Sequence, residues 1–150
     1  MNCRERENIK DNIRKALQES GAVAIGFAKA APVEACVING YNHWIEKGNH
    51  AGMDYLKRHA PLKADPSHVL ENVATVISLA FSYAPCQRRD PSLPKIAFYA
   101  YGEDYHDVLR KRLKPIVELL KNEYGGEWRI CIDSAPLPER YWAIKCGIGK

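Results

Sequence analysis

The sequence lacks the features that mark membrane, secreted and simple metal-binding proteins. No apolar run approaches the about 18 residues of a membrane-spanning helix, and four of the first seven residues are charged, unlike a signal peptide. No Cys-x-x-Cys pair occurs, because the five cysteines lie 33, 50, 45 and 15 positions apart. These absences predict a cytoplasmic protein with reduced thiols, in which no zinc ribbon or iron–sulfur cluster is encoded.

Sequence motifs of several common enzyme classes are also missing. The chain has no glycine-rich phosphate loop and no nucleophile elbow, and none of its five histidines is three or four positions from another. A metal site on one helix face is therefore not expected. The length of 150 residues, with 46% apolar and 27% charged residues, predicts one soluble domain, and the net charge of +4 permits an anionic partner without requiring one.

The apolar pattern predicts alternating helices and strands. Helical spacing predicts helices over 2–20, from 32 to about 48, 104–124 and 137–146, with Gly125-Gly126 ending the third. Strands are predicted over 22–28, 73–83, 96–101 and 128–132, and the nearly all-apolar segment 73–83 is expected to be central. Asp65-Pro66 has the pattern of a helix start, and 85–94 that of an exposed loop. This order predicts a single α/β domain, with α+β as the alternative, in which helices pack on a central mixed sheet.

Asp133 stands out by its position between a predicted strand and a predicted helix. One interpretation is a helix N-cap or Asx-turn, which is common for Asp before Ser and Pro. The other is a general acid at the carboxyl end of a strand, where open sheets bind ligands. A general acid needs a raised carboxyl pKa, whereas capping N–H groups lower a carboxyl pKa, so the two interpretations make opposite predictions.

Two further groups of residues allow a functional and a structural interpretation. The aromatic cluster around Gly102 could line a pocket for a large planar ligand or pack in the core; its members are Phe98, Tyr99, Tyr101, Tyr105 and His106. The basic run Arg110, Lys111, Arg112 and Lys114 could contact nucleic-acid phosphates or form a solvated helix face.

Five segments, in order, resemble one known family. They are Gly52-Met53-Asp54-Tyr55-Leu56, Lys63-x-Asp65-Pro66, Tyr101-Gly102-x-Asp104-Tyr105-His106, Asp133-Ser134-Ala135-Pro136 with Glu139-Arg140, and Gly147-Ile148-Gly149. Together they resemble the N-terminal half of epoxyqueuosine reductases. The resemblance covers nearly the whole chain.

The resemblance implies a cytoplasmic oxidoreductase that binds cobalamin and two [4Fe–4S] clusters and reduces the epoxide of epoxyqueuosine in tRNA. Residues 1–150 would then form the corrinoid-binding domain. The ferredoxin-like domain that holds the clusters would follow residue 150, and the fragment alone is expected to be inactive. The resemblance identifies tRNA as a partner, but not the electron donor or any membrane partner.

The resemblance also assigns roles to individual residues. It makes Asp133 the proton donor to the opening epoxide oxygen. It places Lys63 and Ala97 beside the corrinoid. It also places in the corrinoid pocket four residues of one motif, namely Tyr101, Asp104, Tyr105 and His106. Two alternatives stay open: a related corrinoid and iron–sulfur reductase, such as a reductive dehalogenase-like protein, and a non-catalytic module that binds tRNA or a corrinoid.

Overall fold

The computed structural model describes residues 3–85, 90, 92–133 and 135–149. Its α-helices are α1 (Cys3–Gln18), α2 (Ala35–Glu46), α3 (Asp54–His59), α4 (Tyr105–Tyr124) and α5 (Glu139–Lys145), and its strands are β1 (Ala24–Lys29) and β2 (Thr75–Ala80). Short 3-10 helices cover Pro61–Ala64, Pro66–His68 and Phe98–Ala100. None of these helices is long and apolar enough to cross a membrane.

The two strands form a small antiparallel sheet. Val23 N–H donates to Ala80 O at 2.8 Å at one end, and Ala30 N–H donates to Ala74 O at 3.0 Å at the other. Because the residue numbers run in opposite directions between these bonds, the strands are antiparallel. The predicted combination of helices with a sheet is confirmed.

Chain contacts group the residues into two compact units, each assembled from two separate stretches of sequence. Unit 1 comprises Met1–Ile25 and Leu79–Gly126, and in it α1 packs against α4. The core of this unit is aliphatic: Ile13, Leu17, Leu113 and Leu120 are all buried, as is the backbone-bonded Ser20. The spacing of these side chains places each pair on one face of its helix, which is why amphipathic periodicity predicted both helices.

Unit 2 comprises Gly26–Ser78 and Glu127–Lys150. Its buried residues come from loops as well as helices, namely Val33, Ile45, Val69, Ile132 and Trp142. Arg129 links two of its segments by donating from Nη1 to the carbonyl oxygen of Val69 at 2.6 Å. As predicted, Asp65 begins a helical turn, and its Oδ1 accepts from Ser67 N–H at 2.8 Å.

Three strand predictions need correction. Segment 96–101 contains a 3-10 helix, and 128–132 forms no strand among the described residues. The central position expected for 73–83 is wrong within the described chain, because the sheet has two strands and β2 is a half-buried edge. Apolar alternation shows that a segment suits a sheet, but pairing requires a second strand at the right place in the fold.

The helix predictions differ from the structure mainly at their ends. The second helix begins at Ala35 instead of residue 32, and the last begins at Glu139 instead of 137. The predicted loop 85–94 falls partly outside the described residues, because 86–89 and 91 are not among them.

Candidate functional site

Asp133 lies between a buried residue and a short helix. Ile132 before it is 9% exposed, whereas Asp133 itself is exposed. Its φ of +45° is left-handed, a conformation that non-glycine residues adopt only when surrounding contacts hold them there. The sequence placed Asp133 at the end of a strand, but the segment before it is not a strand.

The structure also excludes one role considered for Asp133, that of N-cap of the following helix. The N-cap of α5 is Pro138, without a side-chain bond, and α5 begins six residues after Asp133. Asp133 is instead the donor in this region: its backbone N–H donates to Glu139 Oε1 at 2.7 Å. A carboxylate from the helix thus holds the loop that carries the candidate acid.

The carboxyl group of Glu139 is in an electrostatically unfavourable position for a negative charge. Loss of solvation is the main cause that raises the pKa of Glu139, and the adjacent Asp133 carboxyl group raises it further. The Asp133 N–H and the Lys63 ammonium oppose this shift but do not cancel it. Glu139 therefore keeps its proton to a higher pH than an isolated glutamate does.

Lys63 belongs to the same cluster of unit 2. Its Nζ lies 5.5 Å from the centre of the Tyr41 ring, within range of a cation–π interaction. Burial lowers the pKa of Lys63, and the charge of Glu139 partly restores it. Tyr41 is fixed in turn, because its hydroxyl donates to the carbonyl oxygen of Leu56 at 3.0 Å. We refer to Lys63, Asp133 and Glu139 as the carboxyl–lysine cluster.

The other predicted site residues belong to unit 1. Asp104 is the N-cap of α4: its Oδ1 accepts from His106 N–H at 2.8 Å and lies 2.8 Å from His106 Nδ1. The backbone hydrogen bond from His106 is the main cause that lowers the pKa of Asp104. The carboxylate of Asp104 is thus committed to starting the helix and orienting the His106 ring.

The aromatic residues form a chain of ring contacts. Tyr83 lies 6.5 Å from Tyr99, Tyr99 lies 6.3 Å from Tyr105, and Tyr105 stacks on His106 at 4.1 Å. Tyr101 is edge-on to Phe98 at 5.7 Å. Tyr83 and Tyr99 are 66% and 57% exposed, so these rings are not the core of unit 1. We call this group the aromatic ladder.

Ala97, predicted to lie on a strand, is instead the exposed residue that precedes the 3-10 helix Phe98–Ala100. The structure thus gathers Lys63 and Asp133 in unit 2, and Tyr101, Asp104, Tyr105 and His106 in unit 1. Sequence reasoning missed two contributors. Glu139 appeared only as part of a motif, although its spacing of six from Asp133 was visible, and Tyr83 gave no sign of joining the aromatic ladder.

The described residues contain free thiols and no grouped metal ligands. Cys36, Cys131 and Cys146 are free thiols. Burial raises the pKa of Cys131, which makes it a poor nucleophile at neutral pH. Over the described ranges, no three side chains of His, Cys, Asp or Glu are grouped so that they could hold a metal ion.

Comparison with known proteins gives consistent matches. Residues 63–134 match the family model described as epoxyqueuosine reductase QueG, DUF1730. The chain is 39% identical over 140 residues to the epoxyqueuosine reductase of Cyclobacterium marinum, covering 91% of this chain and 45% of that protein. It is 31% identical over 150 residues to that of Cellulophaga algicola, covering 99% and 48%. The chain therefore spans less than half the length of these curated relatives.

The fold agrees with a solved structure. The structure of epoxyqueuosine reductase from Streptococcus thermophilus superposes with a TM-score of 0.82 at 28% sequence identity. The match covers 95% of this chain and 40% of that one.

Proposed function

Because this chain belongs to the epoxyqueuosine reductase family, we propose that it forms the corrinoid-binding and proton-donating part of a cytoplasmic tRNA-modifying oxidoreductase. The substrate is the epoxide of epoxyqueuosine in tRNA, and the product is queuosine. The names of the relatives favour this reaction over a reductive dehalogenase-like activity and over binding without catalysis.

The observation that carries the proposal is the geometry of Asp133. The side chain of Asp133 is exposed, its backbone has a strained positive φ, and its N–H is hydrogen-bonded to Glu139. The preceding residue, Ile132, is buried in the core. Strained backbone at a non-glycine residue is concentrated at functional sites, where surrounding contacts preserve it. We assign Asp133 as the general acid that protonates the epoxide oxygen while its C–O bond breaks.

Protonation matters because an alkoxide is a poor leaving group. A positioned acid that supplies the proton during bond cleavage contributes about 10²–10⁴-fold to the rate. Glu139 supports this role by holding the Asp133 loop, because its Oε1 accepts the Asp133 N–H at 2.7 Å.

The exposed aromatic ladder fits a large planar cofactor. Three exposed rings, those of Tyr83, Phe98 and Tyr99, offer apolar faces and edges without a covering layer from unit 1. We propose that the ladder, with Ala97 beside it, contacts cobalamin. When bound, cobalamin supplies the reducing centre of the reaction.

The two [4Fe–4S] clusters do not fit the described residues, which offer no group of suitable ligands. We propose that a ferredoxin-like domain holds them, in the part of the relatives that this chain does not match. No step of the chemistry assigned to this chain depends on them.

We further propose that the basic run on α4 faces the tRNA. Arg110, Lys111, Arg112 and Lys114 are all exposed, although buried Leu113 lies among them. Exposed cations on one helix neutralise phosphates without reading sequence, which suits recognition of a substrate defined by its modified base.

The test replaces Asp133 in the gene that encodes this chain. Deleting the gene should leave epoxyqueuosine in host tRNA, as measured by mass spectrometry of nucleosides. Asp133→Asn should lower the turnover of the purified enzyme by about 10²–10⁴-fold, because the amide cannot supply the proton.

Asp11→Asn is the matched control, since Asp11 is an exposed aspartate on α1. This variant should retain wild-type turnover. Undiminished turnover of Asp133→Asn would remove the proposed acid, and unchanged tRNA after gene deletion would remove the proposed substrate.

A further inference from the structure

Asp133 needs an external contact to keep its conformation. Three described non-glycine residues have positive φ, namely Ala51, Asn72 and Asp133. Asn and Asp tolerate this region better than other residues, but they still leave it readily when nothing holds them. One contact that holds Asp133 is the 2.7 Å hydrogen bond from its N–H to Glu139 Oε1.

Glu139 is well placed to act as a fixed point. It is the first residue of α5, and Trp142, one turn later, is only 3% exposed. Trp142 N–H donates to Pro138 O at 3.1 Å, and Cys146 N–H donates to Trp142 O at 2.8 Å. The backbone that carries Glu139 is therefore anchored in the core of unit 2, whereas Asp133 lies in a loop.

The charges around Glu139 act on its own titration. Asp133 and Lys63 act on it directly, and Cys131 is close enough to interact with it electrostatically. The hydrogen bond from the Asp133 N–H lowers the pKa of Glu139, so protonation of Glu139 weakens the contact that positions Asp133.

We propose that Glu139 is a positioning residue for Asp133: by accepting the Asp133 N–H at 2.7 Å, it holds the Asp133 backbone in its left-handed conformation. This inference rests on the proposed role of Asp133 as the acid. It assigns to Glu139 no contact with the substrate or with a cofactor.

Two substitutions test whether Glu139 acts as the acceptor that positions Asp133. Glu139→Gln keeps an oxygen that can accept the Asp133 N–H but removes the charge. Glu139→Ala removes both. We expect Glu139→Ala to lower kcat by about 10²-fold, the loss typical of a misplaced catalytic group, with a much smaller change in KM.

Glu139→Gln should retain more activity than Glu139→Ala, because its amide oxygen can still accept the Asp133 N–H. Glu71→Gln is the matched control, because Glu71 is an exposed glutamate of the same unit. It should leave kcat and the pH profile unchanged.

A readout without turnover makes the result independent of the tRNA chemistry. In the ¹⁵N-labelled protein the Asp133 amide signal should titrate together with the Glu139 carboxyl group, and the titration should vanish in Glu139→Gln. In Glu139→Ala this amide should lose its protection from hydrogen exchange while the protection of α5 persists.

Three outcomes are distinguishable. An Asp133 amide that is insensitive to Glu139, or a Glu139→Ala enzyme with wild-type kcat and pH profile, overturns the inference. A loss of activity that merely follows the loss of folded protein, with Glu139→Gln as impaired as Glu139→Ala, also overturns it, since Glu139 would then be structural only. Wild-type turnover in Asp133→Asn overturns the proposed function and with it the catalytic part of the inference, whatever the amide signal shows.

Discussion

Gly26 is the position where one added methyl group should do the most damage. A Cβ built on Gly26 would lie 2.1 Å from the carbonyl oxygen of Cys146, 2.7 Å from its Cβ and 2.8 Å from its carbonyl carbon. Cys146 cannot easily retreat, because its N–H is bonded to Trp142 O at 2.8 Å and its Sγ donates to Val76 O at 3.6 Å. The substitution Gly26→Ala must therefore move backbone in β1 or at the end of α5.

The expected cost follows from this geometry. Overpacking a core costs typically about 1–3 kcal/mol when side chains can adjust. Here the nearest atoms belong to bonded backbone, so we expect the upper end, about 3 kcal/mol. For a chain of this size each kcal/mol lowers the unfolding temperature by about 2–4 °C, which gives a decrease of roughly 6–12 °C.

Thermal unfolding followed by circular dichroism measures this decrease, and Gly40→Ala is the matched control. Gly40 lies within α2 and has no atom within 4 Å of a built Cβ. Alanine is preferred over glycine inside a helix by about 0.5–1 kcal/mol, so Gly40→Ala should raise the unfolding temperature slightly. A Gly26→Ala protein as stable as the wild type would refute the packing argument.

Two more predictions concern the core of unit 1 and the acid dependence of stability. Leu120→Ala should cost about 2–5 kcal/mol in urea unfolding, because Leu120 is 1% exposed, whereas Leu119→Ala, at 57% exposure, should change little. The second concerns acid. Hydrogen bonds from backbone N–H groups lower the pKa of Asp104 and Asp65 in the folded chain. Their stabilisation is thus complete above the unfolded pKa of about 4 and is lost as pH falls through the lower folded values. Asp104→Asn keeps a cap but should weaken this acid dependence.

These two predictions have clear negative outcomes. Equal losses in Leu120→Ala and Leu119→Ala would contradict the assigned core of unit 1. An unfolding temperature of Asp104→Asn that falls between pH 5 and pH 2 as steeply as that of the wild type would contradict the role of the Asp104 carboxylate as a charged cap.

Features that depend on neighbouring residues could be predicted from the sequence. The helical spacing of apolar side chains predicted α1 and α4, and Gly125 ends α4 as expected, with φ +70° and its N–H bonded to Lys121 O at 2.8 Å. The cap formed by Asp65 is likewise local, since donor and acceptor are two residues apart. Such signals are readable because the interacting groups are fixed by the same few backbone angles.

In the candidate site, too, some features could be predicted from the sequence and others could not. The order and spacing of the five motif segments are enough to identify the family and to point to Asp133 and Lys63. They did not show that Glu139 holds Asp133, because that contact requires the chain to turn back and the Asp133 backbone to adopt a left-handed conformation. Nor did they show that Asp104 serves as the cap of α4 and as a partner of His106.

The helices, the local caps and the family can be read from the sequence alone, since each depends on residues close together in the chain or on a motif read in order. The tertiary structure was needed to show which apolar segments form strands, that the aromatic ladder extends to Tyr83, and why Gly26 must stay glycine. These depend on residues that are distant in sequence, such as Gly26 and Cys146, and no local pattern records which of them meet.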